Sequence, residues 1–399
     1  MRSDPPIRAE TDWYAVLAGV LCGIAVAMNI GKVPIVMSQL RAEFGLSLVT
    51  AGWVSSMINA LAITMAILFG VLCDRLGALR MCLAGLSFAI LGGLGALVAG
   101  NAAALLLSRF AEGVGVVSVV VSAPALLGAA TTHGDRRFAL GIWSAYLPSG
   151  VGLVMLLAPA LMPFGGWRGI WVLVLAVLLT AALAIYRSRS AFRLPLSAEA
   201  NTHPFVEAKE VLAQRQPWLL AFALASFTIQ HFALIIWLPT FLQEQRNLSP
   251  LAVSLLSCVM VLANVPGNVL GGSLLQRNFR RGSLIAFASL VTGLCGVGIF
   301  LDVFPDAIRY GLCVLLSFTG GLIPACVLSS SASLARTPKQ IGTLQGLFNQ
   351  VGNVGPFFGP PLIAMLVATS GLWRDALIVT GCAALLGVIL GVMIRRLER

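Results

Sequence analysis

Three charged residues stand inside long apolar stretches of this sequence, and their spacing indicates how their charges are balanced. Arg109 and Glu112 lie three residues apart, so a helix would place them on one face as an ion pair. Lys32 lies in a different apolar stretch. An ionisable side chain among apolar residues is costly and by default marks a pathway or a partner. The candidate chemistry is therefore the binding of an anion by Lys32 and Arg109, with Glu112 carrying a proton.

Each of these residues also has a purely structural interpretation. The alternative for Arg109 and Glu112 is a fixed pair that never titrates. The alternative for Lys32 is a side chain that extends to a membrane surface. Because two cations stand against one carboxylate, the set favours anionic over cationic ligands.

Four other polar residues in apolar stretches are candidates to line the same site. Asn29 precedes Lys32 by three residues, and Tyr146, His231 and Asn353 lie in later stretches. His231 is a second candidate to carry a proton, because histidine titrates near neutral pH. Its alternative role is that of a buried side chain bonded to a backbone carbonyl.

The composition places these residues in a membrane protein. Of the 399 residues, 58% are hydrophobic and 10% are charged, and the mean hydropathy is +0.94. These values lie far from those of soluble domains. A helix needs about 20 mostly apolar residues to cross a hydrocarbon core about 30 Å thick. We therefore expect the lipid bilayer to surround most of the chain.

Apolar runs broken by short polar or Gly/Pro stretches predict an all-α membrane protein with twelve transmembrane helices. The predicted segments are 13–38, 48–70, 79–99, 102–125, 138–162, 168–187, 217–242, 250–274, 283–301, 308–333, 341–368 and 373–394. The longest polar stretch, 187–216, is predicted to be a cytoplasmic linker between an N-terminal six-helix domain at 1–186 and a C-terminal one at 217–399.

The basic residues predict the orientation. Of the 26 Lys and Arg residues, nineteen fall in the termini and loops of one side and five in the loops of the other. Because cytoplasmic loops carry the excess of basic residues, both termini are predicted to be cytoplasmic. The net charge of +11 is thus explained as a topology signal, and no nucleic-acid partner is expected.

The most specific motif lies between segments 2 and 3, on the predicted cytoplasmic side, and comprises Gly70, Asp74, Arg75, Gly77 and Arg80. It resembles the G-x-L-x-D-R-x-G-x-x-R loop of the major facilitator superfamily. Glycine permits a tight turn, and an aspartate there can pair with an arginine or a helix N-terminus and so latch one conformation. The alternative is an ordinary polar turn whose arginines set the topology.

Segment 4 carries a second element of the same kind. Arg109, Gly113 and Gly115 are similar to the R-x-x-x-G-x-G element of that family. The resemblance implies two pseudo-symmetric six-helix bundles, a substrate site near the membrane midplane and access that alternates between the two sides.

The resemblance also implies a secondary transporter in a bacterial cytoplasmic membrane, acting as a monomer and without a cofactor. The charges favour a small organic or inorganic anion, such as a monocarboxylate, carried with a proton. Segments 1 and 2 are similar to cyanate-transporter-like anion porters. The alternatives are proton-coupled efflux of lipophilic drugs and a non-transporting membrane sensor. No phosphate-binding loop and no metal-type cluster occurs, so neither ATP-driven transport nor an enzyme is expected.

Overall fold

Helices account for nearly all of the regular structure. A computed structural model describes residues 10–132, 134–192, 209–301, 303–335 and 340–398. These ranges contain no β-strand, and the predicted all-α class is confirmed.

The helices follow the predicted segments in order and are numbered as spans 1 to 12. Span 1 is Trp13–Ile35; span 2 joins Leu48–Ser56, a 3-10 turn at Met57–Asn59 and Ala60–Leu76; span 3 is Ala78–Leu97; span 4 is Ala102–Ala130; Tyr146–Arg187 carries spans 5 and 6; span 7 is Arg215–Glu244; span 8 joins Pro250–Leu262 and Asn264–Gln276; span 9 is Arg281–Phe300; span 10 joins Asp306–Gly320 and Leu322–Leu334; span 11 joins Gln340–Gly352 and Val354–Ser370; span 12 joins a 3-10 turn at Trp373–Asp375 and Ala376–Leu397. Two short helices, Met37–Phe44 and Arg136–Ser144, precede spans 2 and 5.

The helix Tyr146–Arg187 is long enough to cross a membrane twice. Its 42 residues would measure about 63 Å at 1.5 Å per residue, about double the hydrocarbon thickness. The backbone breaks at Gly166, where φ is 55° and ψ is −144°, a conformation that glycine adopts readily. Eleven described helices are long and apolar enough to span a membrane, and dividing this one at Gly166 gives the predicted twelve.

Span 1 ends three residues earlier than predicted. Pro34 has no backbone N–H and its ring crowds the carbonyl of the preceding turn, so the helix closes at Ile35. The chain restarts as the short helix Met37–Phe44, which buries Met37 and Leu40 and ends at Gly45 in the left-handed conformation with φ 60°.

Side chains cap four of the helices at the positions where their sequences predict a start, and at span 1 Asp12 Oδ1 accepts from the Ala15 backbone N–H over 3.0 Å. Asn101 accepts a hydrogen bond from the Ala104 backbone N–H over 2.9 Å at the beginning of span 4. Ser47 and Ser249 do the same at the beginnings of spans 2 and 8. Such caps satisfy backbone donors that the first turn of a helix leaves without partners.

The chain divides into two compact units. Over their described residues, the first comprises Met1–Lys32 and Leu68–His203, and the second Val33–Ile67 and Pro204–Arg399. The division falls inside span 1, directly after Lys32. The predicted division into two six-helix domains is drawn differently and stays a prediction; residues 193–208 of its linker lie outside the described residues.

Spans 3 and 4 of the first unit meet at glycines. A Cβ built on Gly115 would lie 2.6 Å from the Gly85 carbonyl oxygen, and one on Gly92 would lie 2.7 Å from the Glu112 backbone nitrogen. Real Cβ atoms do not approach that closely, so only glycine lets the two backbones touch. This close approach of spans 3 and 4 fixes the position of the Glu112 backbone within the first unit.

In the second unit, residues 33–67 pack against span 7. Arg41 Nη1 lies 2.7 Å from Glu244 Oε1, and Ser38 Oγ donates to Gln243 Oε1 over 2.9 Å. The Arg41–Glu244 pair is partly exposed and therefore contributes no more than about 1 kcal/mol.

Candidate functional site

Span 1 presents two polar side chains on one face. Asn29 and Lys32 are three residues apart, and Lys32 Nζ donates to Asn29 Oδ1 over 2.6 Å. Gly31 lets the helix lie against span 5, since a Cβ there would be 2.9 Å from Val151 Cα. Asn29 is 0% and Lys32 1% exposed, so both need partners within the protein.

Span 4 supplies the counter-charge. Glu112 Oε1 accepts from Lys32 Nζ at 2.6 Å, and Glu112 Oε2 accepts from Arg109 Nη1. The predicted Arg109–Glu112 pair is confirmed. The alternative in which Lys32 extends to a membrane surface is wrong, because its ammonium group is bound to Glu112 within the protein.

Arg109 also ties span 4 to the backbone of span 1. Its Nη2 donates to the Asn29 carbonyl oxygen over 3.0 Å, and the whole side chain is buried. The guanidinium fork thus bridges a carboxylate on its own helix and a carbonyl on the neighbouring one.

Trp171 of span 6 completes the site. Lys32 Nζ lies 4.2 Å from the centroid of its ring, a cation–π distance, and Trp167 meets the same ring edge to face at 5.1 Å. Sequence reasoning missed Trp171; its spacing of four from Trp167 indicates a shared helix face, but such a pair in a span usually serves packing. The charge cluster is defined as Asn29, Lys32, Arg109, Glu112 and Trp171.

The charge cluster holds more positive than negative charge. Two cations and one carboxylate are each no more than 1% exposed, and burying ions is costly unless they are paired and hydrogen-bonded. Two of its N–H donors, Asn29 Nδ2 and Trp171 Nε1, have no acceptor within the described part of the chain. An anion would balance the excess charge and accept from both donors.

Tyr146 lies at some distance from the cluster within the same unit. Its ring stacks on Trp143 with centroids 4.5 Å apart, and both side chains crowd Gly23 of span 1. Gly23 is nine residues, or about 13.5 Å along the helix, from Lys32. The structure therefore places Tyr146 nearer the beginning of span 1 than the cluster.

His231 and Asn353 belong to the second unit, and each has a partner there. His231 Nε2 lies 3.0 Å from Ser317 Oγ, and its ring stacks on Phe227 at 5.1 Å. The histidine is bonded to a hydroxyl, whereas its structural alternative predicted a backbone carbonyl. Asn353 Nδ2 donates to the Asn349 carbonyl oxygen of its own span over 2.8 Å.

The motif between spans 2 and 3 forms a tight turn at Gly77. That residue has a φ of 85°, which favours glycine, and it directly precedes span 3. A Cβ on Gly70 would meet no heavy atom within 4 Å, and Arg75 and Arg80 are exposed. The side chain of Asp74 lies outside the described part of the structure, so the latch stays a prediction.

Comparison with known proteins agrees with this architecture. Residues 19–360 match the family model of the Major Facilitator Superfamily. The putative niacin/nicotinamide transporter NiaP of Bacillus subtilis is 26% identical, over 86% of this chain and 85% of its own length. The probable sulfoacetate transporter SauU of Cupriavidus necator is 24% identical, over 93% and 91%. A solved bacterial homologue of the human lysosomal transporter Spinster, inward-facing and unoccupied, has the same fold, with a TM-score of 0.82 at 17% identity over 96% of this chain and 97% of its own.

Replacing Glu112 by Gln should destabilise the protein strongly, because two buried cations would lose their counter-charge. Removing one partner of a buried ion pair costs about 3–5 kcal/mol. We expect the thermal unfolding midpoint of the purified protein in detergent to fall well below that of the wild type. Glu244→Gln is the matched control, since the same change in the partly exposed pair with Arg41 should cost no more than about 1 kcal/mol.

The double variant Lys32→Met with Glu112→Gln removes one charge of each sign and should recover part of the lost stability. Equal midpoints for Glu112→Gln and Glu244→Gln would contradict the ionic arrangement described for the cluster.

Proposed function

Because the chain belongs to the Major Facilitator Superfamily, a family of membrane transporters rather than enzymes, we propose that it moves a small organic anion across the membrane by alternating access. The observation that carries the proposal is the buried charge cluster, where two cations face one carboxylate. Two N–H donors beside them have no acceptor among the described residues. This combination is complementary to an anion and unfavourable for a cation.

The relatives support a substrate of this class. One is named for niacin and nicotinamide, of which niacin is a carboxylate at neutral pH and nicotinamide is uncharged, and the other for sulfoacetate, which is an organic anion. A substrate with a single negative charge would balance the cluster, so a monocarboxylate is the simplest match.

An anion in the cluster would compete with Glu112 for the same cation. Lys32 would turn from Glu112 to the substrate, while Asn29 Nδ2 and Trp171 Nε1 would donate to the substrate's oxygens. The side chains of the cluster are almost completely buried, so the substrate reaches them only when the spans move. Binding and conformational change are therefore linked.

We further propose that Glu112 couples this transport to protons. A proton on Glu112 would weaken its hold on Lys32 and Arg109 and leave both cations available to the substrate. Anion and proton would then favour each other's binding, which gives symport. The alternative carrier is His231 of the second unit, bonded to Ser317.

The proposed setting is a bacterial cytoplasmic membrane, with both termini in the cytoplasm and the protein a monomer. The support for the orientation is the bias of nineteen basic residues against five between the two sets of loops.

Replacing Lys32 by Met should abolish anion binding and leave a neutral Arg109–Glu112 pair in place. A ligand at about 100 times its Kd stabilises the folded state by about 2.7 kcal/mol. We expect nicotinate, sulfoacetate or another small carboxylate to raise the unfolding midpoint of the wild type but not of Lys32→Met. The measurement is thermal unfolding in detergent against a panel of organic anions, lipophilic cations and neutral drugs.

Arg41→Met is the matched control, because it removes a cation from a partly exposed pair outside the cluster. It should respond to the anion as the wild type does. Stabilisation of Lys32→Met by the same anion would overturn the proposed site. Stabilisation only by lipophilic cations or neutral drugs would favour the efflux alternative.

Proton coupling predicts that anion binding draws protons from solution. In weakly buffered detergent solution, saturating the wild type with its anion should make the medium more alkaline by close to one proton per anion bound. His231→Asn should show the same uptake, since Glu112 is unchanged. The absence of uptake in the wild type would sink the coupling proposal, and its loss in His231→Asn would assign the proton to the histidine.

A further inference from the structure

The second unit contains a cavity of its own. It encloses about 430 Å³, and all six of spans 7 to 12 contribute to its walls. None of its lining residues belongs to the charge cluster. Its size falls within the range of about 300–1,000 Å³ typical of pockets for small ligands.

Aromatic rings form much of the wall. Trp373 lies 5.9 Å from Trp237 and 6.1 Å from Phe241 between ring centroids. One polar atom of the aromatic walls already has a partner, since Trp237 Nε1 donates to the Pro360 carbonyl oxygen over 3.1 Å. A buried water needs two to four polar partners, so the walls favour an apolar occupant over water.

Tyr310 of span 10 also lines the cavity. Its hydroxyl donates to the Leu256 carbonyl oxygen over 2.9 Å, so the ring presents its apolar faces to the cavity. The remaining wall is largely aliphatic, with Leu234, Leu238 and Ile363 among its members.

Two arginines stand at one end of this apolar space. Arg246 follows span 7 and Arg309 lies in the first turn of span 10, and both guanidinium groups lie within 6 Å of the Phe241 ring, at 5.1 and 5.6 Å. Asp306 Oδ1 holds the two together, 2.9 Å from Arg246 Nε and 3.6 Å from Arg309 Nη1. Arg309 is 8% exposed, so one guanidinium is set into the wall of the cavity.

We propose that this cavity binds a single-chain amphiphilic anion of the fatty-acid class. The hydrocarbon chain occupies the space between Trp237, Phe241 and Trp373, and the carboxylate head lies at Arg246 and Arg309. A guanidinium fork matches a carboxylate in geometry and charge. The surrounding bilayer supplies molecules of this kind. The site is independent of the charge cluster and of the transported anion.

The test uses the protein in lipid nanodiscs and a chain that carries a quencher. Bromine quenches tryptophan fluorescence on contact, and Trp237 and Trp373 both line the cavity. We expect ω-bromododecanoic acid to quench saturably and to bind about tenfold more tightly than ω-bromododecanol, the effect of one charge-assisted hydrogen bond.

Four variants test the hydrocarbon chain and the carboxylate head group separately. Ala376→Phe fills the cavity from span 12 and should remove the saturable quenching; Cys313→Leu, from span 10, should weaken it and serves if the first variant does not fold. Arg246→Met should reduce the affinity for the acid to that for the alcohol. Arg374→Met is its matched control, a basic residue outside the lining, and should leave both affinities unchanged.

Equal affinities of the acid and the alcohol in the wild type would overturn the assignment of the head group. Undiminished saturable quenching in the cavity-filling variants would show that the probe acts from the bilayer and would overturn the site itself.

Discussion

Glu112 bonds Lys32 and Arg109, the two cations of the charge cluster, and the helices around it are arranged so that one carboxylate can do this. Span 4 carries Arg109 one turn away on the same face, and span 1 brings Lys32 to the other carboxylate oxygen at 2.6 Å. Gly92 of span 3 leaves the room that the Glu112 backbone needs, because any larger residue would collide with it. Lys32 and Arg109 would lack a counter-charge in the cluster if position 112 were apolar.

Stability alone does not explain such an arrangement. A buried ion pair seldom improves on apolar side chains of the same volume, because the cost of desolvation offsets the attraction between the charges. An excess cation makes the balance worse. In the proposed function the cluster is a site for a negative charge, and its Lys32 lies two residues before Pro34, near the end of span 1.

Local patterns in the sequence predicted most of the fold. Apolar length predicted the spans, and the i to i+3 spacing predicted the Arg109–Glu112 pair, because both depend only on neighbours along the chain. The contacts of Lys32 with Glu112 and with Trp171 join residues 80 and more positions apart. Side-chain types do not encode such distant pairings, so sequence reasoning found Lys32 and Glu112 but not the contact between them, and it missed Trp171.

The same limit applies to the second unit. His231 was identified from its type, whereas its bond to Ser317, 86 residues away, appears only in the folded chain. The cavity lined by Arg246 and Arg309 could not be predicted from the sequence either. Six spans contribute to it, and in its own helix each wall residue looks like ordinary packing.

The most direct test of anion binding at the charge cluster is to follow the indole N–H resonance of Trp171 in isotope-labelled protein during titration with a small organic anion. Its loss in Trp171→Phe identifies the signal. We expect a saturable downfield shift as Trp171 Nε1 gains an anionic acceptor, and no shift in Lys32→Met. An anion that stabilises the protein while leaving this resonance unmoved would contradict anion binding at the charge cluster.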